Sequence, residues 1–331
     1  MADLFSTYGA RKLITVHHSV DAALAGYPVL FRVMRSAGVD TTSAYGRETA
    51  NVTYVGDTGC LATFYDFVLT TSDGVTIVKR CAEVINGTSD AYIWCKVDVP
   101  ASGDWTGYIY YGKPSETVNP DDGDNTFTFY DDFSSGNLNT WTGNTAQGSI
   151  TGGILTYSYS TAAWKGILSA NAYAGDLAFK TSIRIETATR NYVEIGLNTA
   201  VDSTPRVHYF YEATDRWQSH TTNFGTKAVG VGAYHTLEFS RVLTGTDTAN
   251  GWYDNGSSVG STTTVDTDDL KANISAYGLA GATATILCDW VFVRKTTANM
   301  PTWAANGAEE LAPASSSMIC MPMISSMAMM C

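Results

Sequence analysis

The sequence predicts an all-β protein built from two antiparallel β-sandwich domains and an irregular Met-rich C-terminal tail. Three observations predict it. Long stretches alternate apolar residues with small polar ones, the period of a strand with one buried face. Turn residues punctuate those stretches, and Ser, Thr, Asn and Gly fill the polar positions. Charged residues make up only 16% of the 331-residue chain against 44% hydrophobic, with 19 Tyr and 8 Trp, a composition that suits extended structure.

In chain order, "KLITVHH" alternates, with Leu13 and Thr15 on one face and Ile14 and Val16 on the other. "YPVLFRVM" sets Val29, Phe31 and Val33 on a common face, and "ATFYDFVLTTSDGVTIVKR" reads as a hairpin about Ser72-Asp73-Gly74. "AYIWCKVDV" and "WTGYIYYG" are two more strands, parted by "PASGD". They complete a first domain over residues 1–118, which shows no helical period before residue 113. Five Asp then fall at 121, 122, 124, 131 and 132. No EF-hand frame fits them, so residues 119–127 read as an acidic linker between domains. From 126 the strands come in a larger module, which makes a second domain over 128–303: "TFTFYDDF", "GGILTYSYS", "LAFKTSIRIET", "RNYVEIGLN", "RVHYFYEAT", "YHTLEFSRVL", "NGWYDNGSSVGSTTT" and "TILCDWVFVRK". This is the cadence of a sandwich or jelly roll; "KANISAYGLAG" reads as holding a short turn of helix. Residues 304–331 read as a linker and an apolar tail. Met318, Ile319, Met321, Met323, Ile324 and Met327 form a soft peg for a partner subunit, because Met adapts to irregular grooves.

The net charge of −12 repels nucleic acid and anionic lipid, so neither is expected as a partner. No stretch reaches the ~18 apolar residues a membrane span needs, and no membrane insertion is expected. The N-terminus lacks the basic region and apolar run of a secretory signal, which fits a virion component made in a host cytoplasm, or a cytoplasmic protein. The six Cys show no zinc spacing. Cys81 and Cys95 are either cross-strand neighbours or buried free thiols, and the second reading is preferred because Cys packs as a small hydrophobe.

"RKLITVHHSVDAALAGYPVLFRV" and "AYIWCKVDVPASGDWTGYIYYGKPSE" resemble an uncharacterised β-sandwich module of prokaryotic surface proteins and phage proteins. The marks are Arg11-Lys12, Tyr27–Leu30, Trp94–Val97 and Tyr110–Pro114. In that resemblance the module is followed by a concanavalin-like (laminin-G-like) jelly roll opening on a "FDDF"-like stretch, here "FYDDFSSGNLNTW", and closing on a strand like Asp289–Lys295. Its internal pair appears as "YHTLEF" and "GWYDNG". The resemblance spans roughly residues 8–300 and implies fold far more than function, since such sandwiches serve lectins, hydrolases and structural parts alike.

Hydrolases of this fold carry two or three carboxylates spaced along one strand so that they share a face. The comparable strand here, "RNYVEIGLN", offers Glu194 alone, with Gly196 and Asn198 following. One carboxylate does not supply both acid and nucleophile, so the chain is expected not to be an enzyme. Tyr192, Glu194, Tyr209, Tyr211 and Trp217 are carbohydrate-binding candidates, since Tyr and Trp stack on sugar rings; core or subunit contact is the alternative for each. Asp131, Asp132 and Asp289 are candidate calcium ligands, at the seam where the opening strand of a jelly roll meets the closing one; otherwise they cap turns or pair with Arg294 or Lys295. The expected function is a non-enzymatic structural and adhesive part of a phage-type virion, touching other virion proteins, further copies of itself as a homo-oligomer and cell-surface glycans. A cell-derived lectin-like surface module is the alternative, and a glycoside hydrolase the third reading.

Overall fold

The computed structural model describes residues 4–18, 22–56, 59–186, 191–201, 207–211, 216–219, 222–225, 230–243, 247–253, 256–264, 268–278 and 283–312. Its strands form four sheets, stacked in two pairs. In the first sandwich one sheet runs Thr302–Trp303, Ala10–His18, Gly103–Tyr111, Val68–Thr71, with Glu310–Leu311 also on Ala10–His18. The facing sheet runs Thr41–Tyr45, Glu48–Tyr54, Leu24–Met34, Asp90–Val99, Arg80–Asn86. Alternation decides which side chains meet between them. Ile14 and Val16 are buried while Leu13 stands 36% exposed, and Val29, Phe31 and Val33 join the same core. One pairing departs from the antiparallel expectation: Leu24–Met34 and Glu48–Tyr54 run parallel, because the hairpin of Thr41–Tyr45 and Glu48–Tyr54 lies against that strand as a unit. The hairpin expected at Ser72-Asp73-Gly74 is a tight turn closed by one bridge, Thr70 to Ile77. There Asp73 accepts the Val75 and Thr76 amides.

The second sandwich is a two-sheet jelly roll. Its seven-stranded sheet runs Trp141–Gly143, Trp164–Ser169, Lys271–Gly278, Asn191–Asn198, Val207–Tyr211, Arg216–Ser219, Thr222–Gly225. Its eight-stranded sheet runs Gly148–Thr151, Ile154–Tyr159, Ala284–Lys295, Leu177–Ile185, Tyr234–Leu243, Asp247–Tyr253, Ser257–Thr264, with Phe129–Asp131 added to Ala284–Lys295. Lys271–Gly278 corrects the expected helical turn. Ala272, Ile274 and Ala276 alternate into the core, and the strand is flanked by Trp164–Ser169 and Asn191–Asn198.

The acidic stretch is fixed in place. The buried Arg80 donates Nε and Nη2 to Asp121 at 2.9 and 2.7 Å, and Nη1 to the carbonyls of Phe64 and Phe67. Asp122 caps the short helix Gly123–Thr126 by accepting the Asn125 amide. Residues 302–312, of which 304–312 were expected to begin a linker, run back along Ala10–His18. The Ala304, Gly307 and Ala312 amides donate to the carbonyls of Thr15, Leu13 and Gly9, which covers the edge of that strand. The Met-rich peg, Met318 to Met327, lies outside the described residues.

A buried seam joins the sandwiches. Phe127 and Phe292 stack at 4.1 Å, and Trp94 of the first sandwich meets both edge-on. Two ionic clusters flank the rings. Arg294, fully buried, donates to Glu48 at 2.6 Å and to Glu238 at 2.7 Å and lies 4.7 Å over the Trp94 ring. Burial opposes its charge, but the two carboxylates more than offset that and hold its pKa above the ordinary arginine value. Lys180 reaches Glu83 at 2.7 Å, and Glu83 also accepts the Tyr45 hydroxyl and the Trp94 indole N–H, each at 2.8 Å. Glycine is required at one point of closest approach. A Cβ on Gly46 (φ 63°) would stand 1.9 Å from a Glu238 carboxylate oxygen, so the Thr41–Tyr45 hairpin turn presses directly on the ion cluster.

Candidate functional site

The seven-stranded sheet has one face on the core and one facing away. On Asn191–Asn198, Val193, Ile195 and Leu197 point into the core, so period two sends Tyr192, Glu194, Gly196 and Asn198 to the outer face. Asn273, Ser275 and Tyr277 of the neighbouring strand do the same, because Ala272, Ile274 and Ala276 are core. The register sets Tyr277 between Trp164 on one side and Tyr192 on the other.

Two features result. At the sheet centre lies a closed polar cluster. Glu194, 3% exposed, accepts the side-chain amides of Asn198 at 2.9 Å and Asn273 at 2.8 Å on one oxygen. Asn273 also donates to Ser275 at 3.0 Å. Toward the strand ends stands a half-buried aromatic cluster. Its ring centroids lie 5.6 Å apart for Trp164–Tyr277, 5.5 Å for Tyr192–Tyr277 and 6.3 Å for Trp164–Tyr192. The rings tilt against one another by 38° to 61°, and together they present one apolar surface edged with two hydroxyls and an indole N–H. Among the described residues of the seven strands, Glu194 is the one carboxylate. The geometry thus offers a stacking surface beside a single, amide-bound acid.

The expected site residues divide accordingly. Tyr192 and Glu194 share this face. Tyr209 and Trp217 are instead fully buried between the two sheets, 5.4 Å from each other, with Trp217 4.9 Å from Phe239 of the opposite sheet. Their strands turn these rings inward, into the core. Tyr211 lies on the strand Val207–Tyr211, and its side chain is outside the described residues. Trp164 and Tyr277 escaped sequence reasoning. "TAAWKGILS" has no distinctive strand signal, and "KANISAYGLAG" looked helical; what would have found them is the pairing of those two segments with "RNYVEIGLN".

The calcium expectation does not fit the donors present. Asp131 is 8% exposed and already committed. One oxygen accepts the Phe133 amide at 2.7 Å, the other the Trp141 indole at 2.7 Å and the Thr140 hydroxyl at 3.0 Å. It ties the opening turn of the jelly roll together. Asp132 and Asp289 do approach each other, lining a 260 Å³ cavity with Glu83, Tyr130 and Trp290 at the seam between sandwiches. Burial, and then the charge of Asp132, push the Asp289 carboxyl above the ordinary aspartate range. Among the described residues no group of three acidic, His or Cys side chains converges as a metal set. Cys60, Cys81, Cys95 and Cys288 are buried free thiols. Cys81 stands opposite Trp94 and Cys95 opposite Arg80 on adjacent strands, and burial raises the Cys81 and Cys95 pKa values to about 12. No helix among the described residues is long and apolar enough to cross a membrane.

A family model described as a domain of unknown function, DUF2341, matches residues 63–145, the later part of the first sandwich and the opening of the second. No match was found among curated proteins. Among solved structures, the carbohydrate recognition domain of Emp47p is similar at 10% identity and a TM-score of 0.41, over 50% of this chain and 93% of that one. An endo-β-1,4-glucuronan lyase from Trichoderma reesei is similar at 17% identity and 0.35, over 53% and 98%. A Bacillus licheniformis β-glucanase is similar at 13% identity and 0.41, over 51% and 98%. At these scores the likenesses carry no argument about ligand or chemistry.

Proposed function

We propose that the second sandwich is a glycan-contacting module that binds without cleaving. The observation that carries this reading is the outer face of the seven-stranded sheet, where the half-buried rings of Trp164, Tyr192 and Tyr277 gather beside one carboxylate. Aromatic faces with polar edges stack on the C–H faces of sugars. Glycoside hydrolysis by the usual route takes two carboxyl groups about 5–9.5 Å apart across the scissile bond, and these strands supply one, held by two amides. The test is equilibrium binding of the full chain to an oligosaccharide panel, with a reducing-end assay run alongside. Trp164→Ala and Tyr277→Ala should each weaken the best ligand at least tenfold. Binding unaffected by both substitutions removes this site, and reducing ends released by the chain but not by Glu194→Gln make it an enzyme.

The virion role implied by the resemblance is the second reading, and the seam favours it. Two sandwiches locked by buried ion pairs and stacked rings make a stiff spacer, suited to a load-bearing shell or fibre whose partners are other virion proteins or further copies of the chain. Co-sedimentation of the purified protein with assembled particles tests it; a freely monomeric protein that ignores particles would end it.

A further inference from the structure

We propose that Glu83 and Lys180 condense to an amide, a covalent cross-link that the chain makes between its own two sandwiches. Glu83 lies on Arg80–Asn86 of the first sandwich and Lys180 on Leu177–Ile185 of the second. The Lys180 nitrogen stands 2.7 Å from one carboxylate oxygen of Glu83 and 3.0 Å from the other, so it faces the carboxyl carbon. Both side chains are shut off from solvent, with 3% exposure for Lys180 and 0% for Glu83. The strand is shaped to bring the acid here. Glu83 is the extra residue of a β-bulge, since the register passes from Ala82 opposite Ile93 to Val84 opposite Tyr92, and bulges re-aim a side chain.

The surroundings supply what the condensation needs. The Tyr45 hydroxyl and the Trp94 indole N–H donate to the two Glu83 oxygens, each at 2.8 Å. Fixed donors in that position also stabilise the negative oxygen of a tetrahedral addition intermediate. The same two rings wall the amine, whose nitrogen lies 3.8 Å from the Tyr45 centroid and 6.0 Å from that of Trp94. A second carboxylate, Glu238, stands opposite Lys180 in the strand register, and residues so paired share a face. Proton transfer from the Lys180 ammonium to the Glu83 carboxylate leaves an amine beside a carboxylic acid and removes two charges from a medium that solvates them poorly. The amine lone pair then attacks Cδ of Glu83 and the C–N bond forms. Glu238 takes a proton from that nitrogen and passes it to the departing hydroxyl, the C–O bond breaks, and one water leaves. No oxidant or cofactor is consumed. The 260 Å³ cavity lined by Glu83 at the seam gives that water an exit. Groups held in contact this way react with effective molarities on the order of 10⁵–10⁸ M, and exclusion of bulk water opposes the reverse hydrolysis.

Mass spectrometry of the purified full chain, stored at neutral pH and then denatured, tests this. The chain should be lighter than its sequence by one water, and trypsin should release residues 81–96 joined to residues 166–184 through Glu83 and Lys180. Lys180→Arg keeps the cation but offers no primary amine, so it should show the full mass and no joined fragment. Glu238→Gln should lower the joined fraction at least fivefold. Should either variant fail to fold, the parent chain alone decides. Fragments 81–96 and 166–180 released separately from the parent overturn the proposal, and so does a lost water that maps to any other pair of residues. A joined fraction unchanged by Glu238→Gln overturns the role given to that carboxylate.

Discussion

Arg294→Met tests the seam most directly. The substitution keeps most of the side-chain volume and removes the cation between Glu48 and Glu238, which are 7% and 2% exposed. Two charge-assisted hydrogen bonds of 2.6 and 2.7 Å disappear, and two carboxylates remain in a water-poor joint. Removing one partner of a buried ion pair costs about 3–5 kcal/mol. Here one residue serves two acids, so the expected loss lies at the upper end of that range. It falls on the contact between sandwiches, since Glu48 belongs to the first and Glu238 to the second. Denaturant unfolding is followed by two probes, tryptophan fluorescence and far-UV circular dichroism. The parent chain should unfold with coincident transitions, whereas Arg294→Met should separate them as the lobes uncouple. The triple variant Arg294→Met, Glu48→Gln, Glu238→Gln should recover most of the loss, because no uncompensated charge is left. A single variant within about 1 kcal/mol of the parent, unfolding in one transition, would refute the claim that this cluster couples the lobes.

Further outcomes follow from the same geometry. Trp217→Ala should cost about 3–5 kcal/mol in thermal or chemical unfolding, since the ring is fully buried against Phe239; a near-neutral result would place it outside the core. Gly46→Ala should destabilise the chain more than Gly136→Ala, measured as melting temperature. Both glycines have positive φ, but only at Gly46 does a Cβ meet Glu238. Asp131→Asn should lose about 1–3 kcal/mol, because an amide nitrogen would face donors that now bind carboxylate oxygens. For Asp289 the folded-state pKa lies above the ordinary value, through burial first and Asp132 second. The folded chain therefore holds that proton more tightly than the unfolded chain, and this residue's contribution to stability declines as pH rises from the ordinary aspartate value through the raised one. Asp132→Asn should lower the Asp289 pKa in a carboxyl NMR titration; no movement would mean that the two acids do not interact.

Much of the fold was legible because a strand's period is local. The alternation of Ile14 and Val16, of Val29, Phe31 and Val33, and of Val193, Ile195 and Leu197 names core faces without any tertiary knowledge. The presence of Glu194 without a companion acid along its strand is likewise a property of the sequence. Other features needed the assembled sheets. Period two divides a strand into two faces but does not say which one meets the second sheet, so Tyr209 and Trp217 looked as available as Tyr192 until the eight-stranded sheet closed over them. Lys271–Gly278 sets only Ile274 and Tyr277 among weaker strand formers, Lys, Ala, Asn, Ser and Gly, so its conformation is decided by the strands on either side. The return of residues 302–312 to Ala10–His18, and the meeting of Arg294 with Glu48 across 246 positions of sequence, leave no local trace at all. Composition and periodicity are sums over neighbours along the chain, whereas these contacts depend on where two separately folded surfaces come to rest, which only the tertiary structure decides.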